Sequence, residues 1–237
     1  MSSVAQQADF NARPPMPISE YEATVKRVNV GYDLILTLAD CCLRALGHAD
    51  LQLLVVGDGR GAEITTFLPA NPGWHLTGVD PSRDMLSLAQ AKAARLGVQE
   101  RVDLVRRTVD DLPPEPRFDA ATCLFVLHFL SDADKRALLR DIARRLRPGT
   151  PLLLANGVRP EDGGLREELL ATWQQYGEAM GMPSAQMAAT IAQIIAFPAS
   201  PAADYERVLR EAGFGRSTRL VSVLGGGLTA WLARSDG

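Results

Sequence analysis

The sequence is poor in cysteine, has no long apolar run and carries almost no net charge. Three of its 237 residues are cysteine, and the spacing of Cys41, Cys42 and Cys123 fits neither a zinc motif nor a disulfide framework. No apolar stretch approaches the roughly 20 residues that a membrane-spanning helix needs. The net charge of −3 gives no basic excess of the kind that marks a nucleic-acid-binding surface. We therefore expect no metal site and no membrane insertion. A nucleic-acid partner is not expected either, although RNA stays open because a balanced total charge can contain a local basic patch.

The beginning of the chain predicts an arm followed by a single domain. Residues 1–17 are polar and contain prolines, which favours a mobile N-terminal arm. They have neither a basic start nor an apolar core, so no signal peptide is expected, and reduced thiols fit a cytoplasmic location. Residues 18–237 are predicted to form one domain that begins with two helices, 18–28 and 32–47.

The stretch from Leu51 to Asp80 carries the strongest functional signal. Residues 51–56 are apolar and β-branched enough for a buried parallel strand. A helix is predicted at 62–68, and residues 74–80 fit a second strand that ends on the carboxylate of Asp80. Between the first strand and the helix lie three glycines at alternate positions: Gly57, Gly59 and Gly61.

This layout suits a bound nucleoside. Glycines lack a Cβ atom, so the backbone can turn tightly and contact a ligand. The start of the helix offers free N–H groups to an electronegative atom, and the carboxylate can accept hydrogen bonds from both hydroxyls of a ribose. The glycines run G-x-G-x-G, however, whereas the dinucleotide fingerprint is G-x-G-x-x-G.

The tighter glycine spacing resembles motif I of the class I S-adenosylmethionine (SAM) dependent methyltransferases, and Gly78–Ser82 resembles their motif II. The resemblance covers residues 25–234 and implies SAM as the cofactor. It also implies an α/β fold with a doubly wound, mostly parallel sheet of seven strands in the order 3-2-1-4-5-7-6. The alternation of strands and helices predicts a parallel sheet covered on both faces, and a hairpin around residues 225–227 would make the last strand antiparallel.

The family's motifs imply which residues hold the cofactor. Those from the glycine turn and motif II are Gly57, Asp58, Gly59, Gly61, Asp80 and Pro81. A turn similar to the family's adenine-binding turn places Val109 and Asp110 at the purine edge, although Asp111 is an equally acidic neighbour. At the end of the fourth strand, Leu124 and Phe125 are expected to line the methionine part of SAM.

The resemblance further implies that residues 18–47 cover the cofactor. Arg27 and Tyr32 resemble positions that lie over the methionine end in some relatives, and packing of Tyr32 on the sheet edge is the alternative. One departure concerns Val55, which stands where the family usually has a carboxylate two residues before the first glycine. The N-P-P-Y tetrad of adenine and amide methyltransferases is also absent at residues 124–127, which argues against DNA adenine or glutamine methylation.

His128 follows the fourth strand and is the candidate catalytic residue. A histidine with a pKa near neutrality at this edge could deprotonate a nucleophile. The alternative is a packed, hydrogen-bonded residue with no catalytic part. A sulfonium is already a strong methyl donor, so positioning of the acceptor can supply most of the acceleration without a base.

Residues 161–200 interrupt the strand–helix alternation and predict a helical lid inserted after strand five. Its apolar lining would enclose a small-molecule acceptor, and a homodimer interface is the alternative. The residues proposed for this lining are Trp173, Tyr176, Met180, Met182, Met187 and Phe197. The sequence thus predicts a small-molecule methyltransferase that uses SAM. Two alternatives stay open: an enzyme similar to the carboxy-SAM synthases of tRNA modification, and a SAM-binding scaffold without catalysis.

Overall fold

The structure, a computed structural model, describes residues 24–57, 59–159, 166–224 and 227–236. The predicted arm at 1–17, the first residues of the predicted helix 18–28, and Asp58 lie outside the described residues. No helix within these ranges is long and apolar enough to cross a membrane.

The strands of the described chain form one sheet in the order β3-β2-β1-β4-β5-β7-β6. Their bounds are β1 (Leu51–Val56), β2 (Trp74–Val79), β3 (Val102–Val105), β4 (Ala120–Leu124), β5 (Pro151–Gly157), β6 (Arg216–Val223) and β7 (Leu228–Arg234). The first five strands pair in parallel, and β7 runs antiparallel to both β5 and β6. The predicted strand order and the closing hairpin are therefore confirmed.

Helices connect the strands and cover both faces of the sheet. Their bounds are α1 (Tyr32–Arg44), α2 (Ala62–Phe67), α3 (Arg83–Leu96), α4 (Asp132–Arg145), α5 (Arg166–Ala179), α6 (Ser184–Ile195) and α7 (Ala202–Glu211), with residues 24–28 also helical. The helix predicted at 32–47 ends earlier because its last turn tightens, and the amides of Leu46 and Gly47 bond to carbonyls three residues back. Ser82 caps α3 by accepting a hydrogen bond from the Met85 amide.

Successive residues of the central strands point to opposite faces of the sheet and pack in two different hydrophobic cores. Leu54 and Val56 pack with α4 and α7, whereas Leu53 and Val55 pack with α1, α2 and α3. Burial on both faces explains why every residue of β1 except the exposed Gln52 is apolar, and each fully buried aliphatic side chain contributes about 1.5–3 kcal/mol. The covered faces leave the carboxyl edge of the parallel strands as the place for a ligand.

The inserted helices α5 and α6 form a third, smaller core with the N-terminal helical turn. Met182, Met187 and Ile191 are buried here against Val28. Gly177 of α5 packs closely on Met187, since a Cβ atom at this position would overlap the methionine side chain. A hydrogen bond of 2.6 Å from Nε1 of Trp173 to the carbonyl oxygen of Val28 joins the two parts. The insertion is thus tied to residues 24–28.

Candidate cofactor and substrate site

A cavity of about 620 Å³ opens at the carboxyl edge of the sheet. Its floor comes from the ends of β1, β2, β4 and β5, and its cover comes from residues 24–30 and from α5 and α6. Because β1 lies between β2 and β4, the cavity straddles the point where the strand order reverses. Its volume lies in the range of about 300–1,000 Å³ that is typical of small-molecule sites.

Two of the three predicted glycines shape the cavity floor. Gly57 has a φ of +78°, and a Cβ atom there would overlap the side chain of Val126. A Cβ atom on Gly59 would lie 2.8 Å from Oδ2 of Asp80. These positions need glycine because a side chain would collide with Val126 at one of them and with Asp80 at the other, and the bare backbone of both lines the cavity. Gly61 does not line the cavity; it has a φ of +62°, and a Cβ atom there would lie 3.1 Å from the Cα of Ala89 on α3.

Asp80 is held in place by two backbone amides. Gly59 donates to its Oδ2 at 3.1 Å, and Ser82 donates to its Oδ1 at 2.7 Å. Burial raises the pKa of the Asp80 carboxyl to about 6, and the two amides act in the opposite direction. Near pH 7 the group is therefore mostly ionised. It lines the cavity, and each carboxylate oxygen has a further lone pair that can accept a ribose hydroxyl.

In the turn after β3, the neighbouring carboxylates of Asp110 and Asp111 have different positions. Val109–Asp111 form a 3₁₀ turn, and Val109 and Asp110 line the cavity together with Pro81. Asp111 instead caps this turn, because its Oδ2 accepts hydrogen bonds from the amide and the hydroxyl of Thr108 at 3.3 Å and 3.2 Å. Asp110 is thus the carboxylate that faces the cavity.

Leu124 and Phe125 also line the cavity at the end of β4. Phe125 has a φ of +63°, a left-handed conformation that is rare for a residue with a side chain. Its ring stacks on Tyr32, with ring centres 5.2 Å apart. Tyr32 is buried below the cavity floor, where its hydroxyl accepts a hydrogen bond from Arg60 at 3.3 Å.

The predicted roles of Tyr32 and Arg27 at the cofactor do not match their positions. Tyr32 borders a recess of about 20 Å³, which is hardly larger than the space that one water molecule needs. Arg27 is exposed and does not line the cavity. The N-terminal segment instead faces the cavity through Thr24, Val25 and Val28.

His128 lines the cavity on the 3₁₀ turn Leu127–Phe129. Asn156 anchors this turn, because its Oδ1 accepts a hydrogen bond of 2.8 Å from the Leu127 amide. The Gly157 amide donates to Nδ1 of His128 at 3.4 Å. Burial lowers the pKa of His128 to about 4, the positive charge of Lys135 adds to this, and Asn156 opposes it. The imidazole is therefore neutral near pH 7 and is a weaker base than the sequence suggested.

Two phenylalanines stand beside His128 and complete a ring cluster, which we define as His128, Phe129 and Phe197. The centres of the Phe129 and Phe197 rings lie 4.2 Å and 5.7 Å from that of His128. The Phe197 ring is inclined by 19° to the imidazole, and the two phenylalanines meet edge to face at 4.8 Å. All three residues line the cavity. The cluster joins the exit of β4 to the end of the inserted helices.

The predicted lining of the lid needs correction. Trp173 and Phe197 line the cavity, but Met182 and Met187 are buried in the small core with Val28. Met180 is exposed and Tyr176 lies outside the cavity lining. Sequence spacing identified the helices, but it did not reveal how each helix is rotated about its axis. Phe129 and Val126 were missed altogether, although their place directly after β4 could have indicated them.

Comparisons with known proteins agree with this geometry. Residues 54–152 match a family model described as a methyltransferase domain. An uncharacterized methyltransferase of Bacillus subtilis (strain 168) is 32% identical over 135 residues, which is 56% of this chain and 49% of that protein. The chain thus spans about half the length of this relative.

Two further comparisons extend over more of the chain. A carboxy-S-adenosyl-L-methionine synthase of Aeromonas hydrophila is 28% identical over 195 residues, covering 80% of this chain and 77% of that protein. Among solved structures, the magnesium protoporphyrin IX methyltransferase of Synechocystis PCC 6803 with bound SAH has a TM-score of 0.63 at 20% identity. This similarity covers 89% of this chain and 86% of that one, and it concerns the fold.

Proposed function

We propose that the chain is a class I SAM-dependent methyltransferase that transfers a methyl group from SAM to a small organic acceptor within the cavity. The observation that carries this proposal is the contact between the glycine turn and Asp80. A Cβ atom on Gly57 would overlap Val126, and one on Gly59 would crowd the Asp80 carboxylate, so both positions keep bare backbone at the cavity beside that carboxylate. A nucleoside needs both features.

The chain's residues divide the task of holding the cofactor. Asp80 accepts hydrogen bonds from the ribose, and Val109 and Asp110 meet the adenine. Leu124 and Phe125 border the part that carries the methyl group. The sulfonium of bound SAM supplies a methyl group that leaves its electron pair on sulfur, so the protein contributes mainly orientation.

The cover of the cavity supports a small acceptor. Helices α5 and α6 and residues 24–30 stand over the carboxyl edge, and Trp173 connects them through its hydrogen bond to Val28. Such a cover separates the acceptor from bulk water. A macromolecular acceptor would have to displace these elements, whereas a small molecule fits beneath them.

Calorimetric titration with S-adenosylhomocysteine (SAH) tests the cofactor assignment. Wild type should bind, and Asp80→Ala should bind at least tenfold more weakly, because each hydrogen bond to a charged acceptor contributes about 1.5–3 kcal/mol. Asp103→Ala is the matched control, since it removes an exposed carboxylate from β3 outside the cavity lining. Absence of binding to wild type, or equal binding to wild type and Asp80→Ala, would remove the basis of the proposal.

A luminescent assay for SAH release tests catalysis. It should be run with phenols, amines and carboxylic acids, and turnover of any of them supports a methyltransferase. SAH binding without turnover of any acceptor class would favour the non-catalytic scaffold.

A carboxy-SAM synthase-like activity is the second candidate. It is consistent with the match to the Aeromonas hydrophila protein, which is longer, at 195 residues against 135, but less similar, at 28% identity against 32%, than the match to the Bacillus subtilis methyltransferase. Mass spectrometry of ligand released from the purified protein separates the two, because carboxy-SAM is heavier than SAM by its added carboxyl group. Recovery of SAM or SAH alone supports the methyltransferase.

A further inference from the structure

Helix α4 ends on a buried arginine whose hydrogen bonds reach beyond its own helix. The side chain of Arg145 is 3% exposed, and its Nη2 donates hydrogen bonds to the carbonyl oxygens of Asp110 and Leu112, at 3.0 Å and 2.5 Å. Its Nη1 donates to the carbonyl oxygen of Asp141 at 2.8 Å. A buried charge is costly unless it is hydrogen-bonded, so these bonds are what allows a guanidinium to stand here. They connect α4 to the turn after β3.

The bonds from Arg145 fix the turn that carries Asp110. Its backbone hydrogen bonds, from the amides of Asp111 and Leu112 to carbonyls three residues back, are local. The hydrogen-bond geometry of 3₁₀ structure is poor, so contacts with the rest of the fold hold such a turn in place. Val109 supplies one of these contacts through a side chain that is 1% exposed. Arg145 supplies the other, because it bonds to the carbonyls on both sides of Asp111.

This arrangement leaves the Asp110 carboxylate available to a ligand. Asp110 bonds to Arg145 through its backbone carbonyl, whereas the residue is exposed and lines the cavity. Within the described residues, its carboxylate takes part in no hydrogen bond or ion pair. A carboxylate accepts hydrogen bonds, and the 6-amino group of adenine donates them. The backbone of Asp110 is thus fixed from behind while its acceptor faces the cavity.

Arg145 also offsets the repulsion between two carboxylates that line the cavity. Oδ1 of Asp141 lies 3.7 Å from Nη1 of Arg145. Burial raises the pKa of the Asp141 carboxyl, the charge of Arg145 opposes this, and the charge of Asp110 adds to it. The two acids therefore act on each other, and the guanidinium next to Asp141 keeps the turn of Asp110 close to α4.

We propose that Arg145 is a positioning residue for recognition of the base: by holding the carbonyls of Asp110 and Leu112, it directs the Asp110 carboxylate at the 6-amino group of the cofactor's adenine. Arg145 is not among the residues that line the cavity, so it acts through Asp110 and not by contact with the ligand. The inference rests on the proposed function, because the adenine is that of SAM.

Adenosine and purine riboside are the probes, because they differ only in the 6-amino group. Each is titrated into the protein by calorimetry. Wild type should bind adenosine about tenfold more tightly than purine riboside, as one hydrogen bond to a charged acceptor predicts. Asp110→Ala should bind the two equally, because it lacks the acceptor. Equal affinity of wild type for the two probes would overturn the proposal.

Substitution of Arg145 separates positioning from general support of the fold. Arg145→Met removes the hydrogen bonds, so its adenosine affinity should fall about tenfold, to that of purine riboside. The affinity for purine riboside should change little, because Asp80 still holds the ribose. A role confined to stability would weaken both probes by the same factor and leave their ratio intact, which would overturn the proposal.

Arg144→Met is the matched control. Arg144 is the exposed neighbour of Arg145 on the same helix, and its Nη1 lies 3.5 Å from the same oxygen of Asp141. Its replacement removes an equal charge without touching the turn of Asp110, so the preference for adenosine should stay that of wild type. Loss of the preference in Arg144→Met would assign the effect to charge near Asp141 and would overturn the role of the hydrogen bonds.

A double-mutant cycle tests whether Arg145 acts through Asp110. Arg145→Met should cost about tenfold in adenosine affinity when Asp110 is present and little when it is already alanine. Equal costs in both backgrounds would contradict the proposal. Should Arg145→Met not fold, Arg145→Lys takes its place: lysine keeps the charge but lacks the planar fork that donates in two directions, so the preference should be smaller than in wild type. A preference equal to that of wild type in Arg145→Lys would also overturn the proposal.

SAH binding distinguishes failure of this inference from failure of the proposed function. If wild type does not bind SAH, the proposed function fails and the inference fails with it. If wild type binds SAH and Arg145→Met keeps the full preference for adenosine, the role of Arg145 alone fails.

Discussion

Acidification should weaken SAH binding through Asp80. Burial raises the pKa of this carboxyl to about 6, although the amides of Gly59 and Ser82 donate to it. Two ribose hydroxyls require an ionised acceptor, and a protonated Asp80 would present a donor on one oxygen. The ligand-free protein therefore gains a proton below pH 6 that must leave before SAH binds.

The size of the effect follows from this pKa of about 6. If the complex needs the ionised form, the apparent Kd at pH 5 should be about tenfold above its value at pH 7.5. Stability of the ligand-free protein changes in the opposite direction. Because the folded pKa lies above the ordinary value of 3.8, the contribution of Asp80 to stability is present at low pH and is lost as the pH rises through about 6. The loss is about 3 kcal/mol in size.

Titration calorimetry between pH 5 and 7.5 measures the effect. Adenosine should show the same pH dependence as SAH, because it keeps the ribose and lacks the ammonium and carboxylate groups of SAH. Asp80→Asn should bind weakly at every pH and show no such dependence. A Kd that stays constant from pH 5 to pH 7.5 in wild type would refute the reasoning, as would an unchanged dependence in Asp80→Asn.

Three further substitutions test the scaffold around the cavity. Gly57→Ala forces a side chain onto a backbone with a φ of +78°. We expect urea denaturation to show a free energy of unfolding that is lower by about 1–3 kcal/mol, and calorimetry to show weaker SAH binding. Trp173→Phe removes the hydrogen bond to Val28, which should cost about 1 kcal/mol and speed limited proteolysis of the inserted helices. Lys135→Met removes the ammonium group that donates a hydrogen bond of 2.6 Å to the buried Ser200 hydroxyl. Urea denaturation should therefore show a free energy of unfolding that is lower by about 1–3 kcal/mol.

Much of the fold was predictable because its signals are local. The apolar strand β1 followed by glycines, and the cap of Ser82 on α3, depend on residues a few positions apart. The glycine triplet shows the limit of such reasoning. Gly57 and Gly59 line the cavity, whereas Gly61 serves the packing of α2 on α3, and the spacing of the three does not distinguish these roles.

Contacts between distant residues decided what the sequence could not show. The hydrogen bond between the Gly157 amide and His128 spans 29 residues, and the pairing of β4 with β5 brings the two residues together. The choice between Asp110 and Asp111, by contrast, depends on a local contact, since Asp111 caps its own turn through Thr108. Neither hydrogen bond could be predicted from the residue type alone.

The missing carboxylate at Val55 has a counterpart on helix α2. Val55 is fully buried and pairs with Thr122 of β4. Glu63 is also buried, and burial raises the pKa of its carboxyl to about 7, while the charge of Arg60 and the Thr122 hydroxyl act in the opposite direction. The Glu63 carboxyl thus lies near the strand partner of Val55. A second carboxylate at position 55 would place two acids in one apolar region, which explains why valine is suitable there.

Replacement of Glu63 by glutamine tests this arrangement. The folded pKa of Glu63, about 7, lies above its ordinary value of 4.5, so its contribution to stability is present at low pH and is lost as the pH rises through about 7. This pH-dependent decrease in the free energy of unfolding should reach about 3 kcal/mol, and it should be absent from Glu63→Gln. Urea denaturation at pH 5 and pH 8 should therefore show a smaller decrease in stability for Glu63→Gln than for wild type. Asp80 titrates in both proteins, so the difference between them reports Glu63 alone. If both proteins lost the same stability over this interval, Glu63 would not be the buried acid that takes the place of a carboxylate at Val55.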